Sequence, residues 1–229
     1  MLAALEVSTR ISSVALLDLV TGEELAEMDL PSDFESSVTL IPALETLMKE
    51  KDLSPEDLDA VAVSTGPGSF TGIRVGLATA EGLCMPGNLL AFGIPTLEGL
   101  AENLRAAEMN GEALCLIDAQ RGEVFVGHYQ VEAKIVTELE PPQILSIEKI
   151  EGLLKEKAWV VGPGALKYEN EIREALGTKG LFAFTSLHHP KAMSIARLAY
   201  REWQAGLRPT LKDLKALYIR VPSVEEKKG

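Results

Sequence analysis

The feature that most constrains this chain is a rhythm that runs once and then restarts. Three alternating apolar runs, "LAALEVS", "SSVALLDL" and "ELAEMDL", open the first half as strands. An amphipathic helix follows to about Lys51, with Val38, Ile41, Leu44 and Met48 at helical spacing. Pro42 is expected in its first turn, where a missing N–H breaks no bond. "DAVAVS" then reads as a buried strand, residues 71–84 as a helix stopped by Pro86–Gly87, and "LLAFGI" as a strand. Thr96 is expected to cap a helix running to about Met109.

After Asn110–Gly111 the succession repeats. "ALCLIDA" and "EVFVGHYQV" are strands around a tight turn at Gln120–Gly122, and a third strand is expected near 134–139. A helix from Ser146 to about Lys157, the strand "AWVVG", a helix over 165–176 closed by Gly177, the strand "LFAFTS" and a helix from Ala192 to Gly206 complete it. Three leading strands imply hairpins, and the helix–strand alternation implies parallel additions. The expectation is an α/β protein of two βββαβαβα halves, 1–109 and 110–229, with the 192–206 helix able to pack back on the first.

That duplicated plan resembles the actin/sugar-kinase/Hsp70 (ASKHA) fold, in which nucleotide phosphates lie between the halves against the leading hairpin turns. The first turn here, "EVSTRIS", has no glycine to let a phosphate approach the backbone. The second, "DAQRGEV", has Asp118 and one glycine. ATP or ADP binding is therefore expected to be weak, with Glu6, Thr9, Gly66, Gly68, Ser69 and Asp118 as the candidate nucleotide or anion contacts.

Bulk properties narrow the function classes. The formal charge of −12 does not attract a polyanion, since phosphate contacts supply most nonspecific nucleic-acid affinity. Residues 191–229 reverse the balance, with nine Lys or Arg against four acids. A solvated helix face and a frayed end are the expectation there, ahead of an RNA contact. Cys84 and Cys115 sit in apolar settings, as small buried hydrophobes in a reducing compartment do. The N-terminus alternates without a basic lead, and no apolar run approaches the ~18–20 residues of a spanning helix. A soluble, cytoplasmic protein without a membrane partner is expected.

The segment "STGPGSFTGIRVG" joins a strand to a helix, where free amides favour an anion. It lacks a Walker lysine and does not match GxGxxG, so a tight turn with Ser69 or Thr71 as N-cap explains most of it. The helix behind it is crowded with small residues: Gly72, Gly76, Gly82, Ala78 and Ala80. Each interior glycine costs about 0.8–1 kcal/mol against alanine, which calls for close backbone approach by another element. Gly72, Gly76, Thr79 and Leu83 share one stripe. Periodicity fits an element of the same chain or a partner's helix; the partner's helix is the expectation taken forward.

Catalytic and metal patterns are sparse. His128, His188 and His189 form no HxxxH or HExxH, and two distant cysteines do not suggest zinc. His128 is expected as a strand histidine, 188–189 as a loop feature. Asp118 and Glu123 flank Arg121, which suggests a salt-bridged turn as readily as a carboxylate pair. "VGPG" at 161–164 echoes the first loop and is expected to line the cleft between the halves. No metal site and no catalytic residue are assigned.

"STGPGSFTGIRVGLATAEGL", "ALEVSTRISSVAL", "DAQRGEVFVGHY" and the terminal "YIR" at Arg220 together resemble the TsaB (YeaZ) family. The resemblance spans nearly the whole chain. It implies a non-catalytic relative of the TsaD transferase that pairs with it through the N-terminal helices, joined by the TsaE ATPase. The complex makes N6-threonylcarbamoyladenosine beside the tRNA anticodon, so tRNA is reached through the complex; alone, a homodimer is implied. On this chain the implied interface is Ser36, Thr39, Leu40, Gly72, Arg74, Val75, Gly76, Thr79 and Leu83. Two positions depart from the family pattern: its leading-strand aspartate is Glu6, and a histidine common at position 36 is Ser36. Both reduce the case for independent catalysis. The alternatives are a free-standing kinase, acyl or carbamoyl transferase or peptidase of the same fold, and a structural homodimer.

Overall fold

A computed structural model describes residues 1–30, 36–87 and 89–219, with only the backbone for 36–38. Strands β1 (Leu2–Glu6), β2 (Ser12–Leu17) and β3 (Glu24–Leu30) precede helix α1 (Ser36–Glu50). Strand β4 (Ala60–Ser64), helix α2 (Phe70–Gly87), strand β5 (Leu90–Ile94) and helix α3 (Thr96–Ala106) follow. The second half holds β6 (Gly111–Gln120), β7 (Glu123–Val131), β8 (Val136–Ser146), β9 (Ala158–Val161), α4 (Pro163–Lys167), α5 (Glu169–Leu176), β10 (Gly180–Phe182) and α6 (Ala192–Gln204).

The two sheets have one topology. The first is ordered β3-β2-β1-β4-β5 and the second β8-β7-β6-β9-β10. In each the leading strand pairs antiparallel with the next and parallel with the fourth. The β1 strand alternates between two cores, because successive side chains point to opposite faces. Ala3, Leu5 and Val7 meet the cluster under α1, with Leu40, Leu44 and Leu47. Leu2 and Ala4 meet Ile195, Ala196 and Ala199 of α6 on the other face.

The helices exchange halves. The α6 helix ends the second half yet covers the first sheet, while α3 ends the first half and lays Leu97, Leu100 and Leu104 on the second sheet beside Cys115 and Tyr129. The two meet in the middle, where Asn103 is nearly fully buried. Its amide donates to the Leu187 and His189 carbonyls at 3.0 and 2.7 Å and accepts from the Ser194 hydroxyl at 2.7 Å.

Several local expectations are corrected. Pro42 lies in the seventh position of α1, not the first turn. Burial of Leu40, Ala43, Leu44 and Leu47 holds the helix through it, since packing outweighs propensity. Pro95, not Thr96, is the N-cap residue of α3, and the Thr96 hydroxyl is buried without a partner among the described residues. The expected helix after Ser146 is a 3-10 segment over Ile147–Leu153. Its apolar residues Ile147, Ile150 and Leu153 recur every three positions, the period of that helix. The 165–176 helix is two, broken at Tyr168, whose hydroxyl reaches Asp118 at 2.8 Å. Strand β8 runs well past 139 through Pro141 and Pro142, which an edge strand tolerates.

Asn103→Leu is expected to leave two part-buried carbonyls and a buried hydroxyl without their partner at this crossing. Chemical denaturation should show a loss on the order of 2–3 kcal/mol, since each unsatisfied buried group costs ~1–3.

Candidate functional site

The leading strands set the site because each ends against a glycine-bearing loop. A Cβ on Gly68 would strike the Ser8 carbonyl, and one on Gly72 would strike that of Val7. In the second half a Cβ on Gly162 would strike the Leu116 carbonyl. The Ser69 N–H donates to Ser8 O at 2.6 Å, and the Ser69 hydroxyl accepts from Gly72 N–H at 3.2 Å as the cap of α2. The loop's close approach is thus to its own strand.

Between the two strand ends opens a cleft of about 1140 Å³. Thr9, Gly68, Ser69 and Asp118 line it, as the sequence suggests, and Pro163 of the second loop does too. Glu6 and Gly66 do not line it, which corrects those two candidates. Gly66 is buried beneath Ile73 and the Leu217 carbonyl. Glu6 is fully buried, bonded to the Ser8 N–H (2.7 Å) and hydroxyl through one oxygen, with its Oε2 unpartnered among the described residues. Burial pushes its carboxyl up to about 7 against the bonds from Ser8.

Asp118 is held differently from the expected salt-bridged turn. Lys167 and the Tyr168 hydroxyl bond its side chain, and it accepts the Gln120 N–H at 3.0 Å. Burial pushes its carboxyl up, but those bonds outweigh it and hold the group below the usual carboxylate range. Arg121 was expected in a salt-bridged turn, and Arg10 was assigned no role. Arg10, Arg121 and Lys167 all line the cleft, with Phe70 and Phe125; the signal lay in "STRIS" and "QRGE" themselves.

The histidines serve packing. His188 is buried, its Nε2 3.1 Å from the Ala183 carbonyl and its Nδ1 beside Gly162. His128 is buried on β7, with Nε2 3.2 Å from Glu112. Among the described residues no group of three His, Cys, Asp or Glu could hold a metal ion, and no helix is long and apolar enough to cross a membrane.

The face formed by α1 and α2 divides the expected interface residues. Leu40 is core, 1 % exposed. Gly76 is buried, and a Cβ there would strike the Val7 side chain and stand 3.1 Å from Val63 Cγ2. Leu40, Gly72 and Gly76 therefore face an element of the same chain, a correction to the partner-helix expectation. Val75 and Leu83 are half-buried against that core, and Thr39 and Thr79 are half-buried. Arg74 is exposed, its guanidinium 3.7 Å from the Phe70 ring centroid. The outward face of α2 continues through Ala78, Gly82 and Met85, all exposed. The Ser36 side chain and Arg220 lie outside the described residues.

Comparison with known proteins follows the whole length. The family model for "TsaD: tRNA N6-adenosine threonylcarbamoyltransferase" matches residues 33–217. The tRNA threonylcarbamoyladenosine biosynthesis protein TsaB of Bacillus subtilis (strain 168) is 29% identical, over 98% of this chain and 96% of its own. The solved structure of YeaZ from Pseudomonas aeruginosa has a TM-score of 0.83 at 24% identity, covering 95% of this chain and 98% of that one. A ROK hexokinase from Thermus thermophilus shares the fold more distantly, with a TM-score of 0.51 at 13% identity over 90% and 99% of the chains.

The Glu6 carboxyl makes stability depend on pH. Its native value near 7, above the ordinary 4.5, means the proton is held more tightly in the folded chain. Its contribution is whole below about 4.5 and is lost as pH rises through about 7. Glu98, pushed to about 7 first by burial and then by Glu202, acts in the same direction. Glu6→Gln is expected to flatten part of this slope. By pH 8 it should gain up to ~3 kcal/mol on the parent chain, and much less at pH 4.5. Denaturation curves that stay parallel across this range would show that Glu6 does not titrate there.

Proposed function

We propose a function from one premise: the chain belongs to the TsaB (YeaZ) family, within the wider family of the TsaD transferase model. It serves in threonylcarbamoyladenosine biosynthesis on tRNA as a subunit without catalysis of its own. Its work is to pair with a TsaD-like transferase, joined by a TsaE-like ATPase, and to reach tRNA only through that complex. Alone it self-pairs through the same surface, in the cytoplasm. It carries no cofactor of its own, and ATP or ADP binds weakly.

The outward face of α2 carries this proposal. Among the described residues a Cβ on Gly82 would meet nothing within 4 Å, and Met85 is 73% exposed. Unlike Gly72 and Gly76, Gly82 meets no described residue that would offset the ~0.8–1 kcal/mol it costs the helix. With Arg74, Ala78 and Met85 it leaves a shallow strip on which another helix can lie with its backbone close. Interfaces of this kind concentrate binding energy at a few central, well-packed residues.

Two variants separate this surface from the core. Gly82→Leu is expected to keep or raise the melting temperature, yet weaken capture of the TsaD-like subunit tenfold or more. Gly76→Leu is expected to lower stability by ~1–3 kcal/mol or more through overpacking against Val7. Size analysis and pull-down on both variants decide the matter. Undiminished pairing in Gly82→Leu rejects the surface.

A further inference from the structure

We propose that the Met85 thioether is a modification site: a peroxide oxidises it to the sulfoxide, and the sulfoxide weakens pairing through the outward face of α2. The effect on pairing rests on the function proposed above; the chemistry at Met85 does not.

Burial divides the sulfur atoms of this chain. It has six methionines and two cysteines. Met48, Met109 and Met193 are buried, and Met1 and Met28 pack against the cluster under α1. Met85, near the end of α2, is 73% exposed. Cys84, its neighbour in sequence, is buried, and so is Cys115. Burial pushes the Cys84 thiol up to about 11 and holds Cys115 well above the ordinary thiol value. The thiolate is the reactive form, and neither cysteine offers it at neutral pH. A peroxide therefore meets one well-exposed sulfur among the described residues, and it is a thioether.

Helix geometry separates the two neighbours. Adjacent positions on a helix stand about 100° apart. Cys84 turns inward, its Sγ 3.8 Å from the Leu90 carbonyl, and Met85 turns outward. Ala78, Gly82 and Met85, at spacings of four and three, fall on one stripe. Ala78 and Gly82 contribute almost no side chain, so Met85 is the large apolar group at that end of the strip. A flexible, unbranched thioether adapts to the surface of a partner. The same exposure leaves its sulfur open to oxidants whenever the partner is away.

The step is an oxygen transfer. A sulfur lone pair attacks one peroxide oxygen, the O–O bond breaks and an S–O bond forms. Sulfur gives up two electrons, the peroxide is reduced, and the displaced hydroxide takes a proton and leaves as water. The product carries a strongly polar oxygen where the thioether was apolar. Pressed against a partner's apolar surface, that oxygen loses its water without gaining a donor. On the free chain it stays hydrated, so the fold is not disturbed. Methionine sulfoxide reductases restore the thioether, which makes the change reversible. Pairing covers Met85, so oxidation acts on chains that are apart and keeps them apart.

The test treats the chain, diluted until it is monomeric, with hydrogen peroxide and follows each methionine by peptide mass spectrometry. Melting temperature and capture of the TsaD-like subunit are then measured. The expected result is oxidation at Met85 several times faster than at any other methionine, an unchanged melting temperature, and capture weakened fivefold or more. Reductase treatment should restore capture. Met85→Leu should capture as the parent does and lose its sensitivity to peroxide, while Met85→Gln should weaken capture without any peroxide. Oxidation spread evenly over the methionines would overturn the site. Preferential oxidation with undiminished capture, or Met85→Leu losing capture to peroxide as the parent does, would overturn the effect on pairing. An untreated parent that captures no partner rejects the pairing reading and this effect with it, and the oxidation rates still decide the site.

Discussion

The structure depends on how closely α2 approaches the end of β1. A parallel neighbour such as β4 must hand the chain to a helix that packs back on the sheet, and the turn leaves no room for side chains. Gly68 and Gly72 meet the backbone of Ser8 and Val7, and Gly76 meets the Val7 side chain. The second half repeats the device where Gly162 and Gly164 meet Leu116 and Ile117. These contacts place both leading turns at the mouth of one cleft. They also turn the glycine side of α2 inward, leaving Arg74, Ala78, Gly82 and Met85 outward.

The exchange of α3 and α6 does the remaining work of joining the halves. Each helix buries its apolar face on the sheet of the other half, so neither half has a complete core without the other. Polar groups fix their register. Asn103 is satisfied on both sides, and the fully buried Glu102 is held by Arg105 of its own helix and Arg201 of α6. A buried carboxylate left without a partner costs several kcal/mol, so this pairing opposes slippage more than it adds net stability.

Much of the architecture was legible because it rests on periodicity. Strands β3 and β7 end where the alternation ends, at Leu30 and Val131. The duplicated order follows from counting elements. What could not be read was direction. The stripe Gly72–Gly76–Thr79–Leu83 is real, but spacing alone cannot say whether its neighbour is Val7 or another protein. Proline misled twice, at Pro42 and at Pro141–Pro142, because tertiary packing and an edge position removed the penalties that local rules assign. At the cleft the turns were weighed for glycine and for a salt bridge, neither of which shows that Arg10 and Arg121 line one space.

Phe70 lies between the cleft and the outward face of α2. It lines the cleft on one side, and on the other its ring lies under the Arg74 guanidinium at the edge of the outward α2 face. A ligand seated against Phe70 can influence pairing only through differential contacts of this kind. An exposed cation–π contact is worth about 0.5–1 kcal/mol. Coupling between cleft and pairing surface along this route is therefore bounded at roughly two- to five-fold in affinity, and by linkage the bound is the same in both directions. A contact of that size would adjust the outward face of α2 without controlling it, because that face is held by its own sheet.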